Sequence, residues 1–294
     1  MTAAAVEPIR AVRRLRRRDL PELLQQIHDP PRALFLRGAA DPEILALPAV
    51  AIVGARACSP YGAQVARMLG RELAAAGLVV VSGLARGIDG EAHRGALDAG
   101  GPTVAVLGCG IDRDYPAAHA ELARRICQGG LIVSEYEPGV EPAPWRFPAR
   151  NRIIAGLTAV TVIVEARERS GALITADFAL EGGREVFAVP GEITGTLSTG
   201  PNRLLRQGAT PLTTADDVVE LFGLAASQRP RVPTVGPSGT AVLERLADGA
   251  ASADELARTT GLEPGPLAAA LAELELAGLA SEADGRYRAV VPPG

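Results

Sequence analysis

Short apolar runs, each stopped by a Gly or Ser and separated from the next by a helical stretch, constrain this chain more than any other feature. Val50-Ala-Ile-Val53 stops at Gly54, Leu78-Val-Val-Val81 at Ser82-Gly83, and Thr103-Val-Ala-Val-Leu107 at Gly108. Leu131-Ile-Val-Ser134, residues 160–165 and residues 185–189 continue the series. Unbroken apolar runs of this length describe strands buried on both faces. Between them, apolar spacing predicts helices over residues 61–76, 90–99, 117–128 and 172–181, the first presenting Val65, Met68, Leu69 and Leu73 on one face. Strands alternating with helices give an α/β fold, a doubly wound, mostly parallel sheet with right-handed crossovers.

The same regularity says where a ligand would sit. Polar residues and glycines follow the strand ends: Gly54-Ala-Arg56, Ser82-Gly83-Leu-Ala-Arg86-Gly-Ile-Asp89, Gly108-Cys-Gly-Ile-Asp112 and Ser170-Gly171. Doubly wound sheets bind ligands outside the carboxyl ends of their strands. Glycines such as Gly54 and Gly83 would let backbone amides approach an anion. Residues 142–156 add Trp145, Arg146, Phe147, Arg150, Asn151 and Arg152 in a chain with few aromatics. Prolines hold the approach to that stretch extended. A helix beginning near Arg150 would turn its amides and positive dipole end toward an anion. Arg56, Arg86, Arg150 and Arg152 are thus expected to converge on one rim. Guanidinium forks beside flat rings suit a phosphate chain carrying stackable bases.

Net charge is −4 over 294 residues, so any affinity for nucleic acid must come from such local patches. The sequence contains no lysine, which makes every basic side chain a planar fork with a permanent charge. Cys58, Cys109 and Cys127 are odd in number and widely spaced, without a metal-ligand pattern; they read as free thiols in a reducing cytoplasm. No apolar run is long enough to span a bilayer, which points to a soluble, cytoplasmic chain.

Outside the α/β rhythm, residues 1–45 read as a leader. Arg10, Arg13, Arg14, Arg16, Arg17 and Arg18 lie in it as a solvated basic cluster, followed by a short helix and the extended Ala33-Leu-Phe-Leu36. Residues 46–223 form the α/β domain, and residues 224–238 have linker composition. Residues 239–294 read as three short helices and a hairpin around Asp284-Gly285, the outline of a winged helix. Its third helix carries Glu273 and Glu275 and no arginine, which favours a protein contact over duplex reading.

The chemistry-bearing motifs are mostly exclusions. Arg56 stands where a Gly-x-Gly-x-x-Gly loop needs bare backbone, and a P-loop would need a lysine. His28, His93 and His119 are scattered; Asp89, Asp112, Glu135 and Glu165 lie near strand ends, where capping a helix or holding an arginine is their commoner task. These residues do not argue for an enzyme, a metal or a cofactor. The competing expectation is a nucleotide-binding or nucleotide-hydrolysing Rossmann-like protein, with Gly191-Glu-Ile-Thr-Gly-Thr196 cradling a phosphate.

The segments 82–89 with His93, 105–112 with Tyr115-Pro116, and Ser134-Glu135 stand in a familiar order. So do Phe147-Pro-Ala-Arg-Asn-Arg-Ile-Ile-Ala-Gly156, Val164-Glu-Ala166, residues 170–176, Val189-Pro-Gly191 and residues 200–209. In order and spacing they resemble the DNA-processing protein A family (DprA/Smf) over about residues 20–222. The tail resembles the winged helix often appended to that family. The helical N-terminal domain usual there is represented only by its last stretch, and His119 stands where asparagine is usual. The resemblance implies an extended Rossmann fold and a non-enzymatic protein that binds single-stranded DNA. It further implies protection of incoming strands in natural transformation, loading of the RecA recombinase, and homodimers formed through the Rossmann domain. On these positions the DNA pocket falls on Arg56, Phe147, Arg150, Asn151 and Arg152, with Ser170 and Gly171 on the same rim.

Overall fold

In the computed structural model, residues 11–224 and 235–290 are described. They fall into two compact units, one on either side of residues 225–234. Most of the expected linker, and Arg10 of the basic cluster, lie outside the described residues.

The first unit opens with β1 (Arg13–Arg16), α1 (Glu22–Gln25), β2 (Ala33–Arg37) and β3 (Ala49–Val53). It continues through α2 (Pro60–Ala75), β4 (Val79–Ser82), α3 (Ile88–Asp98), β5 (Thr103–Leu107), α4 (Ala120–Gly129) and β6 (Leu131–Ser134). The second half runs α5 (Arg146–Gly156), β7 (Val160–Ile163), α6 (Gly171–Glu181), β8 (Glu185–Ala188), α7 (Thr199–Arg206), β9 (Thr210–Pro211) and α8 (Asp216–Leu221). These strands form one sheet in the order β1-β2-β6-β5-β4-β3-β7-β8-β9. From β6 to β9 every neighbouring pair is parallel. The continuous apolar runs are explained by burial on both faces: Val50 and Ile52 enter one core, Ala49, Ala51 and Val53 the other. The chain enters the parallel sheet at β3 and leaves it on both sides, to β4 and to β7. The topological switch point, where doubly wound folds open a cleft, therefore lies outside the ends of β3 and β7.

Two features differ from the sequence reading. Arg13–Arg16 and Ala33–Arg37 are strands of the sheet, and the stretch around them packs into its core and is not a separate leader. Leu20, Leu24, Leu34, Leu36, Ile44 and Leu45 join the same core as β3. Antiparallel pairing with β2 orders Arg13–Arg16, and the Arg13 guanidinium donates to the carbonyls of Gly38 and Ala40 at 2.9 and 2.7 Å. Pairing across such a separation leaves no local periodicity to read. In addition, α5 begins at Arg146, a full turn before Arg150. Pro148 lies in its first turn, where a missing amide costs nothing. The dipole end accordingly sits at Trp145–Phe147.

The second unit consists of α9 (Pro237–Ala247), α10 (Ala253–Thr260), α11 (Pro264–Leu276) and the antiparallel hairpin β10 (Ala280–Ala283) and β11 (Arg286–Ala289). It has its own core, built on Val242, Leu246, Leu256, Leu267, Leu271 and Leu274. Ser252 and Glu255 form a capping box that starts α10. No described helix is long and apolar enough to cross a membrane.

Candidate nucleic-acid interface

At the switch point the ends of β3 and β7 and the first turns of α5 and α6 enclose a cavity of about 320 Å³. Its chemistry comes from Arg56, Phe147, Arg150, Asn151, Arg167 and Arg169, with Ser170 and Gly171 at the lip. Arg56, Arg167 and Arg169 are exposed, and none has an acidic partner within ion-pair distance among the described residues. The Arg56 guanidinium lies 5.3 Å from the centroid of the Phe147 ring. Tyr115 stacks on Phe147 with centroids 5.2 Å apart and planes inclined by 26°, so Phe147 has a ring stacked on it and a cation over it. Ser170 caps α6, its Oγ accepting from the Ala172 amide at 3.3 Å. A Cβ on Gly171 would meet nothing within 4 Å, which leaves that end of the helix open to an anion.

Arg150 plays a different part from the one expected. It is 5 % exposed. Its Nη1 donates to the carbonyls of Gly83, at 2.6 Å, and of Val106, and its Nε donates to Asn151 Oδ1 at 3.1 Å. Asn151 Nδ2 in turn donates to the Gly171 carbonyl at 3.0 Å. One buried fork thus ties the ends of β4 and β5 to the first turn of α6 and forms the cavity floor. Asp89 Oδ2 lies 3.8 Å from the same guanidinium and accepts from the Gly83 amide at 3.1 Å. Burial pushes the Asp89 carboxyl up and the Arg150 guanidinium down, each against the pull of the other.

Arg152 is turned away from the cavity. It makes a two-pronged ion pair with Glu135, at 2.8 and 2.7 Å, and a further contact with Asp29 at 3.1 Å. Successive positions on α5 point in different directions, so Arg150 and Arg152 cannot reach the same rim. Gly83 and Arg86 do not line the cavity either. The space beside Gly83 is filled by the Arg150 guanidinium, and Arg86 is an exposed side chain of the loop after β4. Gly54 does line it, yet its missing Cβ makes room for Ile88 and the Glu165 carbonyl and not for a ligand. Arg167 and Arg169 were not singled out by the sequence reading. The signal available was their place after β7, just ahead of Ser170.

The carboxylates near the strand ends all have partners. Glu165 accepts from the Ser59 amide and hydroxyl at 2.8 and 2.5 Å and so fixes the start of α2, while Asp112 accepts from the Gly139 amide at 2.9 Å. The buried His119 Nδ1 contacts the Leu84 carbonyl at 2.9 Å. His93 Nδ1 contacts Thr103 Oγ1 at 2.7 Å. Since that hydroxyl gives its proton to the Val80 carbonyl, the histidine nitrogen must be the donor in the first contact. The Gly191 amide and carbonyl are both taken by Asn202, so the segment 191–196 does not present an open phosphate cradle at its first residue. Cys109 and Cys127 are buried, Cys58 is half-buried, and all three are free thiols.

The family model for DNA recombination-mediator protein A matches residues 12–223, which hold the whole sheet and this cavity. The chain belongs to that family. A second match, to the DprA winged helix domain, covers residues 226–286. The putative DNA processing protein DprA of Mycobacterium tuberculosis is 46 % identical over 266 residues, covering 88 % of this chain and 68 % of that protein. DNA processing protein DprA of Streptococcus pneumoniae is 47 % identical over 199 residues, covering 68 % of this chain and 70 % of its own. The crystal structure of the S. pneumoniae protein superposes with a TM-score of 0.68 at 43 % identity, over 74 % of this chain and 76 % of that one. The Helicobacter pylori DNA processing protein A, whose structure concerns its single-stranded DNA binding mode, gives a TM-score of 0.66 at 33 % identity. It aligns with 73 % of this chain and 97 % of that one.

Proposed function

We propose that this DNA-processing family member is a non-enzymatic, sequence-independent binder of single-stranded DNA. It holds the strand at the switch-point cavity, protects it during natural transformation and delivers it to RecA. The observation that carries the reading is the cavity itself: three arginines without ion-pair partners among the described residues, Arg56, Arg167 and Arg169, line it together with the Phe147 ring and the open first turn of α6, and Arg56 lies over that ring. Cations for phosphates beside a ring face for a base are what single-strand binding requires. A duplex hides its base faces and has no use for Phe147. Arg150, Asn151 and Asp89 position the cavity walls, and Arg152 with Glu135 fixes α5 to the end of β6. Membership of this family and the single-strand binding of the H. pylori relative support the same ligand. Homodimers formed through the Rossmann domain would set two such cavities on one strand and multiply the affinity.

Fluorescence anisotropy with labelled oligo-dT and a matching duplex tests the reading, and tight binding of the single strand with weak binding of the duplex is the expected result. Calorimetry with nucleoside monophosphates tests the competing one. Stoichiometric binding or turnover of a mononucleotide, without affinity for oligo-dT, would replace DNA binding by a nucleotide site.

A further inference from the structure

Phe147 shares the first turn of α5 with an exposed aromatic that the cavity does not use. Trp145 stands at the helix start, 63 % exposed. Its ring is held in place: the Arg146 guanidinium lies 4.8 Å from the Trp145 ring and 4.9 Å from the Tyr136 ring. Arg146 also donates through Nη1 to the Glu141 carbonyl, so its charge is engaged by two ring faces and a carbonyl. What this cluster leaves for a ligand is the outer face of an immobilised indole. A large aromatic fixed in that way and left in water is uncommon on a protein surface.

Its position follows from the sheet order. Phe147 packs over Gly108, directly after β5, and Tyr136 follows the end of β6, the next strand in the sheet. Neighbouring strands lie about 4.8 Å apart, a step that an extended single strand covers with one nucleotide. Beyond β6 come β2 and β1. β1 runs in the same sense as the parallel strands, so its end brings the exposed Arg16, Arg17 and Arg18 to this same rim. The exposed Glu137 beside the platform disfavours a phosphate there but does not disfavour the flat face of a base.

We propose that Trp145, held by Arg146, which also lies over Tyr136, is a second base-stacking platform, which takes a nucleobase of the strand as it leaves the Phe147 cavity toward the β1 edge. The inference rests on the single-strand reading of that cavity. It assigns to the cavity the first contacts and to Trp145 the bases that follow, so the two parts of the site respond to different oligonucleotide lengths.

Trp145 is the chain's only tryptophan, which makes its emission a report on this one position. Oligo-dT of increasing length is titrated into the full chain, with anisotropy and tryptophan emission read together. The expected result is binding of a trinucleotide without change in emission, and quenching once the oligonucleotide extends past the cavity. Trp145→Ala should weaken the longer oligonucleotide by at least about fivefold and leave the trinucleotide unaffected, while Trp145→Phe restores most of the loss. Binding of the long strand with unchanged emission and unchanged affinity in Trp145→Ala would overturn the platform and leave the cavity reading intact. No binding of either oligonucleotide would overturn both. Because the side chain is exposed, the substitution leaves the core packing untouched.

Discussion

The guanidinium of Arg56, from the loop after β3, and the ring of Phe147, from the first turn of α5, lie 5.3 Å apart at the switch-point cavity. Neither side chain belongs to a buried core of this unit. Arg56 is exposed and without an ion pair among the described residues, and Phe147 is half-buried against Tyr115. Replacing Phe147 by Ala should therefore leave the melting temperature nearly unchanged and cost about 1–3 kcal/mol of single-strand affinity, the loss of one stacked base. Thermal melts beside anisotropy titrations check both halves. A variant that melts early and binds normally would assign Phe147 to the core instead.

Arg150→Ala should behave in the opposite way. Its removal leaves Asp89 buried without its cation and the Gly83 and Val106 carbonyls without their donor. Breaking a buried pair of this kind costs about 3 kcal/mol or more. In a domain of this size that is a fall in melting temperature of roughly 10 °C. DNA binding should then fail together with folding. Guanidine denaturation of wild type and variant measures the difference directly.

Sharing a helix and a motif with Arg150, Arg152 shows how far the sequence could be read. The strands and helices around the switch point were legible because burial on both faces writes itself as unbroken apolar runs, and the rim was legible because glycines and polar residues follow those runs. What local pattern cannot convey is the direction in which a side chain points after the helix is packed. Arg150 faces inward to Gly83 and Arg152 sideways to Glu135, although the two are separated by one residue. Arg167 and Arg169 are illegible for the converse reason: no aromatic or motif marks them, and only the side-by-side pairing of β3 and β7 brings them to the cavity that Phe147 also lines. β1 was hidden because its partner lies beyond α1 in the chain, and a pairing at that distance leaves no mark on the four residues themselves.

Acid should weaken the α/β unit through His93. Burial, with His119, Arg150 and Arg94 adding to it, lowers its pKa from the ordinary 6.5 to about 3. In the folded chain the ring thus stays neutral while in the unfolded chain it takes up a proton below 6.5. The unfolded state binds more protons in that window, so stability present above pH 6.5 is lost as the pH falls toward 3, by about 1.4 kcal/mol per unit well below 6.5. Denaturation midpoints of wild type and His93→Gln between pH 7.5 and about 5.5, above the carboxylate range, should converge as the pH drops. Parallel profiles would show that His93 gains its proton in the folded state as well.

The winged helix should contribute little to DNA affinity. Among the described residues, the outward face of α11 carries Glu273, Glu275 and a 91 % exposed Leu276, with no cation to meet a phosphate. A chain ending after Gly223 should bind oligo-dT within about twofold of the full chain, less than 0.5 kcal/mol, and the full chain should not gain duplex affinity through this domain. Anisotropy with both ligands on both chains decides it. A tenfold or larger loss would make the domain part of the DNA site.

The salt dependence of oligo-dT binding tests the central claim most directly, measured for wild type, Arg56→Ala and Arg152→Ala. Each lost phosphate contact lowers the slope of log K against log salt by about 0.7 for a single strand. Arg56→Ala should show that decrease together with weaker binding, whereas Arg152→Ala, its charge already matched by Glu135, should keep the wild-type slope. An unchanged slope in Arg56→Ala, or the decrease appearing in Arg152→Ala alone, would contradict the placement of the strand at the switch-point cavity.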